Sequence, residues 1–311
     1  MSPSQKIAVL AGGPSCEREI SLISGKAVLE ALVSLGIETC LIDPVGNFLE
    51  ELKRENISFV FLALHGTFGE DGTIQRILDE ARIKYTGSGR RASELSFDKS
   101  LTQAFFQKKG IPVPAYCSFK EDSVPALEKI FSFPFIVKPA KSGSSVGISL
   151  VDSKEGISRA CAEAFQFSDI VLAEQYIEGR ELTVGILGEE ALPVVEVIPK
   201  RKFYDYEAKY EDAGTRYEVP ARLPHETEHE LKKIALEAYH ALGCEVMGRV
   251  DILLDKENRP YVLEINTIPG LTGKSLLPKA ACAAGIEFAG LCVKILELSE
   301  SKHKGVAWLA R

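Results

Sequence analysis

Apolar positions along this chain fall into two rhythms, and the change from one to the other marks its elements. Lys6-Ile-Ala-Val-Leu-Ala-Gly-Gly13 is a continuous apolar run into a glycine turn, the pattern of a buried strand. From Ile20 the spacing becomes three and four residues (Ile20, Ile23, Ala27, Ala31, Leu35), which predicts a helix stopped by Gly36. Strands follow at Thr39–Ile42 and Phe59–Leu64, and a helix near Thr73–Ala81. Strand, helix, strand with glycines at the first turn predicts an open parallel sheet, whose ligands sit at the carboxyl ends of strands. Those ends carry Gly12-Gly13-Pro-Ser15-Cys-Glu17 and His65-Gly-Thr-Phe-Gly-Glu-Asp-Gly72.

The middle of the chain alternates differently. Asp98-Lys99 opens a helix that stops at Gly110, and Ile111-Pro-Val-Pro114 reads as an extended connector. The strand Phe133–Lys138 runs into a Gly/Ser loop, Ser142–Gly147, then a strand Ile148–Val151, a helix Gly156–Phe165 and a strand Ile170–Glu174. Backbone N–H groups in such a loop can cradle phosphate, and Lys138 adds a point charge. Beyond it, Leu182–Leu187 and Ala191–Ile198 predict a hairpin around Gly188-Glu-Glu190. The polar stretch from Phe203 to about Pro220 is long for a loop. Four aromatics in its first eight positions argue for an ordered lid. A helix from Pro224 buries Leu231, Ile234, Ala235, Ala238 and Leu242, and the amphipathic helices near the end carry Ile286, Leu291, Ile295 and Leu298.

The run Arg249–Gly270 predicts two strands around the turn Asp255–Arg259. With Leu254 opposite Tyr261, Asp251 opposes Glu264 and Arg249 opposes Asn266. Side chains alternate faces, so these four polar groups share one side, with Val250, Ile252, Leu254, Leu263 and Ile265 on the other. Two carboxylates and a carboxamide beside a guanidinium suit Mg²⁺, a hard cation that prefers oxygen. The bland alternative is a hairpin with one solvated face, which more often mixes Lys, Thr and Ser.

Composition narrows the field. The 311 residues are 45% hydrophobic and 26% charged, a globular profile long enough for two or three domains. The net charge of −7, without a long basic run, disfavours nucleic acid and membrane surfaces as partners. Seven scattered cysteines without a Cys-x-x-Cys pair fit reduced thiols in a cytoplasm, and no uncharged stretch is long enough to span a membrane. Gly12-Gly13 lacks the spacing of a dinucleotide fingerprint, and no Gly-Lys-Ser/Thr opens a helix as in a Walker loop. His225-Glu-Thr-Glu-His229 matches a zinc-protease pattern, but it falls on the first turn of its helix, opposite the apolar stripe, where no enclosing third ligand is expected.

Taken in order, Gly12–Ser21, Leu64–Gly72, Thr86-Gly-Ser-Gly89, Lys138-Pro with Gly143-Ser-Ser-Val-Gly147, Tyr204–Tyr210 and Glu264-Ile-Asn-Thr-Ile-Pro-Gly270 resemble the ATP-grasp enzymes, specifically the D-alanine–D-alanine ligase family. The likeness spans nearly the whole chain. It implies an α/β (α+β) ATP-grasp fold of three domains, 1–97 with an open parallel sheet, 98–181 as a small nucleotide-clamping unit, and 182–311 with the catalytic loop and metal site. It implies that Glu17 holds the ammonium of the first D-alanine, and that Glu17, Ser144 and Tyr210 form a hydrogen-bonded set under a closed lid. Lys99, Lys138, Ser144 and Ser145 would face ATP phosphates, with Glu174, Ile177 and Glu181 around the adenosine. Asp251, Glu264 and Asn266 would hold two Mg²⁺ or Mn²⁺ ions, Asn266 also facing ATP. Arg249 and the Gly270 N–H would stabilise the transferring phosphoryl and the oxyanion. Ser275 and Leu276 would take the second D-alanine's carboxylate, with His65 beside the substrates. Lys209-Tyr210 resembles ligases that make the dipeptide, rather than relatives that use D-lactate. The expected activity is ATP-dependent joining of two D-alanines through an acyl phosphate, in cytoplasmic supply of peptidoglycan precursors, and a homodimer is implied by resemblance alone. Alternatives are another second substrate, D-lactate or D-serine, and a non-catalytic nucleotide-binding relative.

Overall fold

The first apolar run becomes β1 (Ile7–Leu10), buried along its whole length, in the computed structural model, which describes residues 6–143, 146–199 and 215–305. Around it lie α1 (Arg18–Ser34), β2 (Thr39–Ile42), α2 (Phe48–Arg54), β3 (Phe59–Leu62), α3 (Thr73–Glu80), β4 (Lys84–Tyr85) and α4 (Arg90–Phe97). The four strands form a parallel sheet in the order β2-β1-β3-β4, so their carboxyl ends open on one edge.

The middle unit begins at α5 (Lys99–Lys109). Asp98 caps this helix by accepting hydrogen bonds from the N–H groups of Ser100 and Leu101, and Gly110 ends it at φ +75°, where a side chain would be strained. Next come β5 (Tyr116–Phe119), α6 (Leu127–Ile130), β6 (Phe135–Pro139), β7 (Ser149–Val151), α7 (Gly156–Phe165) and β8 (Val171–Gln175). The strands pair antiparallel in the order β5-β8-β6-β7, with a small core of their own under α7.

The third sheet takes β9 (Gly179–Leu187), β10 (Glu190–Ala191), β11 (Val195–Ile198), β12 (Arg216–Glu218), β13 (Met247–Asp255) and β14 (Pro260–Asn266). Its order is β12-β11-β9-β13-β14, with β10 paired to β9. The strand expected over Ala191–Ile198 is therefore two strands, with Pro193, which lacks an N–H for a ladder, lying in the break. Helix α8 (His225–Ala241) packs on this sheet through Leu231, Ile234, Ala235 and Ala238. The helices α9 (Leu276–Ala283) and α10 (Phe288–Gly305) return to the first sheet. Leu277, Ala280, Leu291, Ile295 and Leu296 share one core with β1 and β3.

The hairpin register departs from expectation partway along. Arg249 opposes Asn266 and Asp251 opposes Glu264, as the alternation predicts, but a bulge follows Asp251. Ile252 then opposes Val262, and Leu254 meets Pro260 rather than Tyr261. The extra residue turns Leu263 to the same side as Glu264, and Val262 takes the expected place of Leu263 in the buried wall.

Candidate functional site

One cleft of about 920 Å³, where the three sheets meet, gathers every described residue given a substrate, ATP or metal role in the sequence. Glu17, His65, Lys99, Lys138, Glu174, Ile177, Glu181, Arg249, Asp251, Glu264, Asn266, Gly270, Ser275 and Leu276 all line it. Ser144, Ser145, Lys209 and Tyr210 lie outside the described residues, as does most of the lid expected from Phe203 to about Pro220, whose end carries β12 (Arg216–Glu218) instead of loop.

The first wall is the carboxyl edge of the parallel sheet. Ser21 Oγ accepts from the Gly12 N–H at 2.8 Å and donates to the Ala63 carbonyl at 2.7 Å, tying the ends of β1 and β3 together. Asp43 accepts from the Gly13 N–H and pairs with Arg18, which also donates to the Gly13 carbonyl. The loop so held presents Glu17 just ahead of α1. Gly66, at φ +70°, passes so close that an added Cβ would strike Glu17 and Ser15; Gly143, from the middle unit, approaches Glu17 as tightly. His65 is 6% exposed, and its Nε2 lies 3.0 Å from Ser24 Oγ. Its ring also bonds the Ile268 backbone, while burial and the nearby Arg249 lower its pKa to about 4, so it is neutral near pH 7. A neutral imidazole has one donor and one acceptor, and the ring spends them on Ser24 and toward the Ile268 backbone. His65 thus joins α1 to the segment before Gly270.

The second wall belongs to the middle unit. Lys138 Nζ sits 2.6 Å from Glu174 Oε1, and both side chains are almost fully buried. The Gln103 amide donates to the same oxygen. Lys99 Nζ donates to the Ser142 carbonyl at 2.7 Å and lies 3.1 Å from Glu264 Oε2, linking the Gly/Ser loop to the hairpin. Ile177 is buried beside this wall, and Arg180 holds Glu196 in a two-pronged pair that raises the Arg180 pKa.

The floor is the polar face of β13 and β14. Asp251 accepts from Arg249 Nε at 2.9 Å and Nη2 at 2.8 Å, from Asn266 Nδ2 at 3.1 Å and from Thr183 Oγ1 at 2.6 Å. Thr183 stands opposite Asp251 on β9. At the far end Ser275 Oγ accepts from the Thr272 N–H at 3.1 Å and lies close under Gly270, with Leu276 opening α9.

Sequence reasoning missed Thr183 and Gln103, and it placed Leu263 on the apolar side rather than beside Glu264. The first two read as ordinary residues of a strand and a helix; only the fold sets their side chains against Asp251 and Glu174. The Thr86–Gly89 motif is a clasp rather than a cleft wall, since Thr86 Oγ1 accepts from the Leu62 N–H and Ser88 bonds the Glu245 backbone. His225 and His229 are exposed on the first turn of α8. Among the described residues no three His, Cys, Asp or Glu side chains gather into a metal cluster. The floor instead offers two carboxylates and a carboxamide.

Three α/β units meeting at a cleft with buried lysines on one wall and paired carboxylates on its floor define the ATP-grasp class. The family model for the D-ala D-ala ligase C-terminus matches residues 105–297, and that for the N-terminus matches residues 43–88. A D-alanine–D-alanine ligase of Methylacidiphilum infernorum (isolate V4) is 47% identical over 307 residues, covering 98% of this chain and 99% of that one. One from Polaromonas sp. (strain JS666) is 42% identical, covering 96% and 91%. The structure of the Bacillus anthracis D-alanine–D-alanine ligase complexed with ATP aligns at TM-score 0.86 and 32% identity over 97% of this chain and 99% of that one. The VanG D-Ala:D-Ser ligase of Enterococcus faecalis aligns at TM-score 0.82 and 29% identity, covering 95% and 99%. The chain belongs to the D-alanine–D-alanine ligase family.

Proposed function

We propose that this protein joins two D-alanines into D-alanyl-D-alanine, converting ATP to ADP and phosphate. The observation that carries this is the single cleft in which Glu17, Lys138, Asp251, Glu264, Gly270 and Ser275 come together from three units. A carboxylate is a poor acyl donor. Moving the γ-phosphoryl of ATP onto the first D-alanine's carboxylate makes an acyl phosphate, and the demand on the protein is charge neutralisation and positioning. Lys99, Lys138 and Arg249 supply positive charge. Glu17 receives the first ammonium, Glu174, Ile177 and Glu181 flank the adenosine, and Ser275 with the Leu276 backbone takes the second carboxylate. The Gly270 N–H faces the oxyanion. The second D-alanine's amine then attacks the acyl carbon and phosphate departs. Water must be kept out, since it would hydrolyse the acyl phosphate.

The floor suits Mg²⁺ or Mn²⁺ by its chemistry, because Asp251, Glu264 and Asn266 offer only hard oxygen donors once the Asn266 nitrogen is turned to Asp251. In the protein alone the two carboxylates are balanced by Arg249 and Lys99. Two such ions, when bound there, supply charge neutralisation on the phosphoryl group. We assign three domains, 1–97, 98–181 and 182–311, that follow the three sheets except where the second boundary falls inside β9, and place the protein in the cytoplasm as a homodimer serving peptidoglycan precursor synthesis. No helix among the described residues is long and apolar enough to cross a membrane.

The test is ADP and dipeptide formation with D-alanine, L-alanine, D-serine and D-lactate as acceptors. D-Alanine is expected to lead. Equal turnover with L-alanine, or preference for D-lactate near neutral pH, would overturn the assignment. A non-catalytic role is tested by Asp251→Ala, which should abolish D-alanine-dependent phosphate release.

A further inference from the structure

We propose that Glu70 is the general base of the second half-reaction, taking the proton from the ammonium of the acceptor amino acid so that its nitrogen can attack. This rests on the ligase reading above. An amino acid enters as a zwitterion, and its protonated nitrogen has no lone pair to offer. Of its three N–H protons one stays in the amide. One passes to the Glu70 carboxylate before attack. The third leaves with the phosphate as the C–N bond forms and the C–O bond to phosphorus breaks with its electron pair.

Geometry singles out this residue. Glu70 lines the same cleft as Glu17, Arg249, Gly270 and Ser275, within electrostatic reach of Glu17, Arg249 and Glu264. Its carboxyl is held in place: the Gly66 N–H donates to Oε2 at 2.7 Å, and the Glu70 N–H donates to the Gly66 carbonyl at 2.9 Å. Gly66 touches Glu17 on its other side, so the two carboxyl groups flank one glycine. The loop around them is tensioned, with Phe68 at φ +75°, a conformation bulky residues rarely adopt away from functional sites. The obvious competitor, His65, already has its Nε2 against Ser24 Oγ and a pKa lowered by burial, which makes it the weaker base.

The electrostatics fit the task. Burial, followed by the facing carboxylates of Glu17 and Glu264, raises the Glu70 pKa to about 8, against the opposing pull of the Gly66 N–H and Arg249. A base is most effective when its pKa lies near the operating pH. The pair also gives an order of events. An ammonium seated on Glu17 cancels the nearest repulsion and favours the ionised form of Glu70, so the first amino acid readies the base for the second.

Glu70→Gln keeps the shape and can still accept the Gly66 bond, so a purely structural role would survive it. The experiment follows full-length enzyme with ATP, Mg²⁺ and D-alanine, using either D-alanine or hydroxylamine as acceptor. Hydroxylamine is uncharged at neutral pH and needs no base. Dipeptide formation by E70Q should fall ~10²–10⁴-fold and lose the rise with pH through about 8 expected of the wild type, whereas hydroxamate formation stays within a few-fold. Wild-type dipeptide rates in E70Q, or equal losses with both acceptors, would overturn the proposal. Should E70Q melt below the assay temperature, Glu70→Asp serves instead: a loss confined to the D-alanine acceptor supports the role, and an equal loss overturns it. A wild-type enzyme that makes no dipeptide would instead sink the ligase assignment.

Discussion

Thr183→Val offers a sharp test of how the floor of the cleft is held. Valine matches threonine in volume and branching, so little besides the hydroxyl is lost. That hydroxyl has one proton and two acceptors in reach, Asp251 Oδ1 at 2.6 Å and the Val250 carbonyl at 3.2 Å, and the shorter contact takes it. A hydrogen bond to a charged group contributes ~1.5–3 kcal/mol. Asp251 keeps its bonds from Arg249 and Asn266, so the low end applies, and urea denaturation should show a loss of ~1.5 kcal/mol. The functional consequence is larger. Thr183, only 2% exposed, fixes the angle of a carboxylate expected to hold metal. Removing such an outer partner typically weakens metal affinity or activity ~10–100-fold. The Mg²⁺ concentration giving half-maximal rate should therefore rise by about tenfold or more. Thr183→Ser, which restores the hydroxyl, should recover most of it. If T183V shifts neither the denaturation midpoint nor the Mg²⁺ requirement, Asp251 is not positioned from β9 and the reasoning is wrong.

Two further outcomes follow from the first wall. His65 has a pKa of about 4 when folded and 6.5 in the unfolded chain, so between these values the unfolded state binds the extra proton. Its contribution to stability is present above pH 6.5 and is lost as pH falls toward 4, by up to ~1.4 kcal/mol per pH unit; urea titrations at pH 7, 6 and 5 should show this slope reduced in His65→Gln, and an unchanged slope would refute the burial of a neutral ring. Gly66→Ala places a methyl against Glu17 and Ser15 at a left-handed backbone position costing ~1–3 kcal/mol; the KM for D-alanine should rise while that for ATP changes little, and equal shifts in both would argue against Glu17 as the ammonium site.

The parts of the fold legible in the sequence are those where one local rule dominates. The run Ile7–Leu10 and the glycines after it fix a buried strand and its turn. Asp98 and Gly110 bound α5 to within a residue, because each satisfies a specific need of a helix end. The order of polar residues places Arg249, Asp251, Glu264 and Asn266 on one side of the hairpin. The bulge was hidden, since Leu-Glu-Ile-Asn reads as clean alternation from either end, and only pairing with β13 shows where a residue is inserted. Strands of two or three residues, β4 and β12, are too short for any periodicity. Thr183 and Gln103 were invisible for another reason. Each acts through a partner distant in the chain, Asp251 and Glu174, and nothing local records that meeting. Glu70 stood in a loop noted for its glycines, but its raised pKa comes from burial and from Glu17, which only the folded chain brings near.

The core beneath β1 and β3 is completed by Leu291, Ile295 and Leu296, from the far end of the polypeptide. A growing chain therefore makes its opening strands long before it makes the side chains that cover them. While translation proceeds, those strands must be sheltered by something else or stay loosely assembled, and the two halves of the molecule can reach their final form only together, after the last helix has left the ribosome.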